Sequence, residues 1–199
     1  MEGRFLFGEG WYVGVAPVPG ARVNVGMVVP GPSLRQRPEA LVDRLLGAFP
    51  EPQPAWISAP TTDSVRVAGG LMWLPKRVAG DGFLLVGDAC GFIDPLSGEG
   101  LHRAFVSAAM AAESISSWLG GNRSALDDYD RHLRGRFRDK DIVSWVLQAF
   151  LSRPWMFDYA LRRLGSRSSQ RKVLTLVLTD QLPAARALDP RFLARLLLP

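Results

Sequence analysis

One carboxylate and a set of glycines share a single short stretch, Gly82–Gly100, with the sequence GFLLVGDACGFIDPLSGEG. Asp88 follows the apolar run Phe83–Val86. A carboxylate in that position can accept hydrogen bonds from the hydroxyls of a ribityl or ribose chain. Gly87, Gly91, Gly98 and Gly100 let the backbone come close to a flat ring. A helix that opens after Gly98 and Gly100 presents free N–H groups and the positive end of its dipole, which suits an anionic or carbonyl group. The elements that must position these groups follow from the pattern. An apolar run bounded by turn residues predicts a fully buried strand over Phe83–Val86. Strand, glycine-rich turn and helix in succession put Asp88 at the carboxyl end of the strand, where open α/β sheets hold their ligands. A plain strand-to-helix turn uses the same elements. This one adds Gly-Asp-Ala at 87–89, Asp-Pro at 94–95 and Gly-Glu-Gly at 98–100.

Those three signatures, in that order and spacing, resemble the second flavin-binding motif of FAD-dependent oxidoreductases with the para-hydroxybenzoate hydroxylase fold. Within them the stretch is most similar to the geranylgeranyl reductase branch and related hydroxylases. The resemblance implies FAD as cofactor, with NAD(P)H a candidate electron donor. It implies that Gly87, Asp88 and Ala89 meet the ribityl chain near the pyrophosphate. Pro95 would lie beside the isoalloxazine ring, and the backbone N–H groups around Gly98, Gly100 and Leu101 would face its pyrimidine edge. Reduction places negative charge on that edge, and a helix N-terminus stabilises it. The flavin would carry the chemistry, delivering hydride to an alkene or activating oxygen for hydroxylation, while the protein orients it. No side chain stands out as a general acid or base, so the catalytic residues are not identified. Glu99 stands at the helix start, where its charge suits the dipole whether it faces the ligand or solvent.

Composition bounds the rest. The chain has 199 residues, 47% of them hydrophobic and 22% charged, an ordinary globular balance for one large or two small domains. Its net charge of +5 is carried mostly by arginine and permits anionic partners without specifying one. The single cysteine, Cys90, excludes an internal disulfide, and with His102 and His132 it is too little for a structural zinc site, so no metal is expected. No run approaches the roughly 20 apolar residues of a membrane span. Met-Glu-Gly-Arg at the start has no signal-peptide pattern. The expected location is cytoplasmic, with at most peripheral membrane contact and no nucleic acid partner.

Upstream of the motif, Gly10–Ala16 and Arg22–Val29 flank Pro17-Val18-Pro19-Gly20 and predict a hairpin, with Pro19-Gly20 at the centre of a type II turn. The family resemblance continues here. Geranylgeranyl reductases carry a Tyr-x-Trp-x-Phe-Pro segment, and this chain has Tyr12, Gly14, Ala16 and Pro17. Tyr12, Gly14 and Ala16 are therefore candidate substrate-pocket residues. Two bulky groups are missing from that wall, implying a wider or differently shaped cavity. Trp73 is a further pocket candidate, with core packing as the alternative. Pro38 can open a helix whose inward face is Leu41, Val42, Leu45, Leu46 and Phe49, stopped by Pro50, Pro52 and Pro54. Ala55–Pro60 and Ser64–Ala68 read as two more strands. After the motif, Glu99–Leu119 is expected to be helical, with Leu101, Ala104, Phe105, Ala108, Ala112, Ile115 and Leu119 on its inward face. Gly120-Gly121 ends it. Ser124 and Asp127 form a capping-box variant before a helix whose inward face is Leu126, Tyr129, Leu133 and Phe137. Further helical pieces are expected at Ile142–Leu151, Pro154–Leu164, Val173–Leu178 and Phe192–Leu198. A basic cluster, Arg162, Arg163, Arg167, Arg171 and Lys172, accompanies them.

The first FAD motif of such enzymes, a strand, G-x-G-x-x-G and a helix, has no counterpart among the glycines of this chain. The resemblance covers Tyr12 to about Phe137, the second half of a family member. A buried strand at Phe83–Val86 then needs neighbours: another chain completes the FAD-domain sheet, the chain is a fragment, or the region has rearranged. The expected fold is α+β: an antiparallel substrate-domain sheet (1–75), the second half of a flavin domain (76–138) and a helical C-terminal region (139–199). The expected function is an FAD-dependent oxidoreductase of reductase or monooxygenase type acting on a hydrophobic organic substrate, with FAD held weakly or not at all by this chain alone. The alternatives are a non-catalytic relative that binds a hydrophobic ligand or partner protein, and a basic membrane-surface or nucleic-acid module. A holoprotein's yellow colour and salt-dependent binding to vesicles or DNA, respectively, distinguish them.

Overall fold

Antiparallel pairing and helices make up the structure, a computed structural model that describes residues 3–50 and 53–197. This is an α+β composition. The chain divides into two units, Met1–Gly70 with Phe150–Met156, and Leu71–Ala149 with Phe157–Pro199.

In the first unit β1 (Arg4–Gly8), β2 (Trp11–Val18) and β3 (Arg22–Val28) form an antiparallel sheet in the order β1-β2-β3. The expected hairpin is present, but its turn sits one residue later. Val18 pairs with Arg22, so the loop is Pro19-Gly20-Ala21. Gly20 takes φ +83° and Ala21 φ +54°. A three-residue hairpin loop closes through a left-handed last residue, and Ala21 accepts that role. Helix α1 (Pro38–Gly47) starts on proline as expected. Its Leu41 and Leu45, with Phe49 just beyond, pack on Val13 and Val15 of β2 to close the core.

The two strands expected at Ala55–Pro60 and Ser64–Ala68 do not form. Ala55–Ser58 is a single 3-10 turn, and 64–68 has no regular structure. Prolines at 54 and 60 bracket the first stretch and withhold donors from any ladder. Its Trp56 instead packs edge-on against Phe49, with ring centroids 5.4 Å apart. Val67, the apolar centre of the second stretch, is exposed. Pro52 and Leu198, invoked above at helix ends, lie outside the described residues.

In the second unit β4 (Ala79–Gly80) and β5 (Phe83–Leu84) make a minimal hairpin around Asp81-Gly82, with Gly82 at φ +79°. The expected fully buried strand Phe83–Val86 is thus corrected. Only Phe83 and Leu84 join a ladder, with one further bond from Leu85 to Val78, and Phe83 and Val86 are exposed, because β4 is the one neighbouring strand among the described residues. Helix α2 (Gly100–Leu119) has the expected extent, but its faces are inverted. Arg103, Ser107 and Ala111 are buried, while Leu101, Phe105 and Leu119 are 75%, 74% and 72% exposed. The buried polar residues have partners that outweigh their polarity. Arg103 pairs with Asp141 and lies 4.3 Å over the Phe137 ring, and Ser107 bonds to the backbone.

Helix α3 (Ala125–Leu151) buries Tyr129, Leu133 and Phe137 as its spacing predicts, with Val78, Ala79, Cys90 and Ala111. The separate helix expected at Ile142–Leu151 is the continuation of α3. At its start Ser124 Oγ bonds Asp128, not Asp127, at 3.1 Å, and Asp127 pairs with Arg77. Helices α4 (Pro154–Ser166), α5 (Ser168–Leu178), α6 (Ala185–Leu188) and α7 (Pro190–Leu197) follow. Val143 of α3 joins Val177, Ala184 and Ala187 in another core. Arg163 and Arg167 of the basic cluster donate to the carbonyls of Leu196 and Arg195 at the end of α7. No helix among the described residues is long and apolar enough to cross a membrane.

Candidate functional site

The Gly87–Leu101 segment is held by side chains doing the work that further strands do elsewhere. The Leu85 N–H donates to Val78 O at 2.8 Å. On its other side the Tyr129 hydroxyl donates to Leu85 O at 2.7 Å. The Gly87 N–H donates to Ser107 Oγ at 2.8 Å, and Ser107 Oγ donates to Arg103 O at 2.6 Å. Buried backbone groups must be paired, and here α2 and α3 pair them. Burial, with the neighbouring Cys90, pushes the Tyr129 phenol up to about 12. Burial likewise raises the Cys90 thiol, although Arg103 opposes the shift. At the far edge of the hairpin the Asp130 carboxylate accepts the Val78 N–H at 2.7 Å. Burial works to raise Asp130, but bonds from Arg134 and from Val78 outweigh it and hold the carboxyl below its usual range.

Three glycines of the turn hold positive φ, Gly91 at +136° among them. Gly87 sits at φ +61°, where a Cβ would also touch Ala104 Cβ at 3.6 Å, and Gly98 sits at φ +69° just before the helix. Between them Gly87–Cys90 is a 3-10 turn, and Pro95–Ser97 is a second. Asp94 is committed to structure. One oxygen accepts the Leu96 N–H at 2.8 Å, and the other accepts from Gln148 Nε2. Asp88 is exposed and is not tied down in this way. Its carboxylate faces the opening of α2: a Cβ built on Gly100 would stand 3.6 Å from Asp88 Oδ1. The first N–H groups of α2 have no intrahelical partners, and Glu99 makes no side-chain bond to them. A carboxylate acceptor, a glycine-smooth surface and free helix donors thus share one small region.

Gly87, Asp88, Ala89, Pro95, Gly98, Gly100 and Leu101 all lie on this turn or the start of α2, so the sequence-predicted cofactor residues are neighbours. Trp73 joins them. Its N–H and C=O bridge to Phe92 at 2.8 and 2.7 Å, and its indole Nε1 donates to Ala89 O at 3.0 Å. Trp73 as a whole is 54% exposed, so it is not core packing. Tyr12, Gly14 and Ala16 belong to the first unit. Tyr12 is buried, with Phe5 and Phe7 centroids 6.4 and 6.0 Å away. The space above Gly14 is taken by Phe5, whose ring edge would lie 3.0 Å from an added Cβ. Ala16 is exposed.

Sequence reasoning missed the charged layer beneath the turn. Glu99 and Lys140 are both buried and 3.2 Å apart, and Lys140 also reaches Asp180 at 2.5 Å. Beside them Arg103 pairs with Asp141. Glu99, Arg103, Asp141, Asp94 and Ser144, together with Phe92 and Ile93, line a small pocket. A signal was available: Lys140 continues the inward series Tyr129, Leu133, Phe137 at a further helical step. No group of three or more His, Cys, Asp or Glu side chains fit to hold a metal ion occurs among the described residues.

No family model matches the chain. Curated relatives do. A tryptophan 2-halogenase of Chondromyces crocatus is 31% identical over 159 residues, 74% of this chain and 29% of the relative. A digeranylgeranylglycerophospholipid reductase 2 of Methanopyrus kandleri is 34% identical over 118 residues, 54% of this chain and 27% of the relative. A digeranylgeranylglycerophospholipid reductase of Picrophilus torridus is 23% identical over 188 residues, 93% of this chain and 46% of the relative. The chain therefore spans between about a quarter and a half of the length of these relatives.

Proposed function

The chain is a partial relative of flavin-dependent halogenases and geranylgeranyl-type reductases, an FAD-dependent oxidoreductase family, and from this we propose that its Gly87–Leu101 turn holds the flavin end of FAD. The activity inferred is reductase or monooxygenase chemistry on a hydrophobic organic substrate. When bound, the flavin supplies the redox chemistry. The chain's own contribution is positional and electrostatic. Asp88 accepts ribityl hydroxyls, Pro95 borders the ring, and the N–H groups at Gly100 and Leu101 donate to its electron-rich edge. The exposed Trp73 indole, fixed on Ala89 O, offers a flat apolar face for the substrate or ring. A protein partner that adds a strand on the side of β5 away from β4 is part of the same proposal.

The observation that carries this reading is the exposed Asp88 carboxylate against the open N-terminus of α2, with only glycine at position 100 between them. The residues fit the flavin end of the cofactor. No G-x-G-x-x-G turn exists in the sequence to hold the pyrophosphate and adenosine. Each charge-assisted hydrogen bond lost with that half is worth about 1.5–3 kcal/mol. Against the roughly −12 kcal/mol of nanomolar binding, FAD affinity for the isolated chain is expected in the micromolar range or weaker. Fluorescence titration with FAD measures it. Asp88→Ala should weaken binding about tenfold or more. No perturbation of FAD fluorescence even at millimolar FAD would overturn the flavin assignment, and unchanged affinity in the variant would remove Asp88 from it.

A further inference from the structure

A buried lysine lies directly behind the helix end just described, and all three of its protons are used. Lys140 Nζ meets Glu99 Oε1 at 3.2 Å and Asp180 Oδ1 at 2.5 Å, and donates to Val177 O at 3.0 Å. Glu99 is the residue between Gly98 and Gly100. A carboxylate at this position has a local alternative, which is to lie against the free N–H groups of the first turn. It does not do so: no side-chain cap bond is made at this helix start. The carboxylate points inward to Lys140 instead and is only 8% exposed. Asp180 anchors the other side of the lysine. It is one of two non-glycine residues at positive φ among those described, at +59°, and its second oxygen is 3.7 Å from His102 Nδ1 on α2. The carbonyl of Val177 and the carboxylate of Asp180 both come from the end of α5, which the motif resemblance does not reach.

We propose that Lys140, held by Asp180 and Val177, is a positioning residue that keeps the Glu99 carboxylate away from the N-terminus of α2, so that its N–H groups remain open to an external electron-rich ligand. A buried ion pair is a poor way to gain stability compared with apolar packing of the same volume, so its use here points to fixing a geometry. The helix end attracts carboxylates; Asp88 faces it from the turn, where it serves the ligand, and Glu99 is the nearest other one in sequence. Removing the lysine releases Glu99 to cap the helix, and the internal anion then competes with the ligand. The proposal rests on the flavin reading for the identity of that ligand, but the diversion of Glu99 is a property of the chain alone.

Two measurements test it on the full chain. The first needs no ligand: NMR solvent exchange of the Gly100, Leu101 and His102 amides in wild type and Lys140→Met. Capping by the released Glu99 should slow exchange about tenfold, and Lys140→Met with Glu99→Ala, which has no side-chain acceptor, should restore the wild-type rate. General loosening of the fold changes exchange in the opposite sense. Unchanged or faster exchange in Lys140→Met overturns the proposal. The second is FAD titration, where Lys140→Met should bind about tenfold more weakly and the double variant should recover, which a merely structural role for Lys140 does not predict. If the exchange result holds while wild type shows no FAD response, the flavin reading falls and the lysine's role stands. If exchange responds but affinity in a binding-competent wild type does not, the helix end is not the ligand's contact and the proposal fails in its functional part.

Discussion

The β1–β3 sheet and the motif helix α2 are both built on apolar periodicity, and they use it in opposite ways. In the first unit the period-two pattern of β2 is spent inward. Val13 is fully buried, and Val15, Leu41, Leu45 and Phe49 close around it. In the second unit the helical stripe Leu101, Phe105, Ile115, Leu119 faces outward, while the same helix buries an arginine and a serine. An apolar stripe in sequence says that some surface wants to leave water. It does not say that the covering surface belongs to the same unit. Polar residues facing inward are tolerable on α2 because each is paired, Arg103 by Asp141 and Ser107 by the backbone.

Core truncation should show this contrast at its largest. Leu45→Ala removes a side chain from the closed core of the first unit, and a leucine cavity costs about 2–5 kcal/mol. Urea denaturation followed by circular dichroism measures it. A loss below about 1 kcal/mol would mean that the sheet's core is no better closed than the α2 stripe.

The second contrast concerns how strand backbone is satisfied. In the β1–β3 sheet the ladder does it, whereas at Leu85 the Tyr129 hydroxyl does. Tyr129→Phe leaves a carbonyl without its donor and should cost about 1–3 kcal/mol, read from the same denaturation curves. Stability unaffected by the change would mean that Leu85 O finds another donor.

These differences explain what could be read from the sequence. The glycines at 87 and 98 marked a turn because turn geometry is local, and left-handed φ selects glycine within a few residues of the bend. The hairpin was legible for the same reason. Its one-residue error arose because Ala21, a residue with no turn signature, adopts φ +54°. The other failures turned on which partner a side chain found. Ala55–Pro60 carried strand-like residues, but Trp56 found Phe49 instead of a strand edge. The inverted face of α2 depends on Asp141, 38 residues from Arg103. Lys140 was invisible for the same reason, since its partners Glu99 and Asp180 lie 41 residues before and 40 after it. Charge at an inward helical step was the only hint.

A smaller effect, dependent on pH, separates the two ends of the β4–β5 hairpin. Asp130 holds the Val78 N–H, and its carboxyl is depressed by bonds from Arg134 and Val78 despite burial. A depressed carboxylate contributes stability that is present above its unfolded value, near 3.9, and is lost as pH falls through its folded value. Wild type should therefore lose part of its stability below about pH 4, and Asp130→Asn should flatten that part of the profile. Stability curves measured from pH 7 to pH 2.5 check it, and parallel curves for the two proteins would remove Asp130 from the account.

The smallest expected effect bears most directly on the comparison. Phe105 and Leu119 are large apolar side chains on the outer face of α2, and each stands more than two-thirds in water. If the stripe is uncovered in the isolated chain, replacing both residues by serine removes no buried contact. Surface substitutions of this kind usually stay within about 0.5 kcal/mol each, and serine's lower helix propensity than leucine subtracts only a few tenths more at position 119. The folded state should be nearly indifferent to the change, in contrast to Leu45→Ala. The surface should not be indifferent, because a contiguous apolar patch binds apolar fluorescent dyes and single exposed residues bind them poorly. Phe105→Ser with Leu119→Ser should therefore reduce dye fluorescence while leaving the urea midpoint almost in place. A drop in stability as large as that from Leu45→Ala would show that the stripe is buried in the chain itself. The contrast between a unit that closes its own core and a helix that leaves one face open would then be lost.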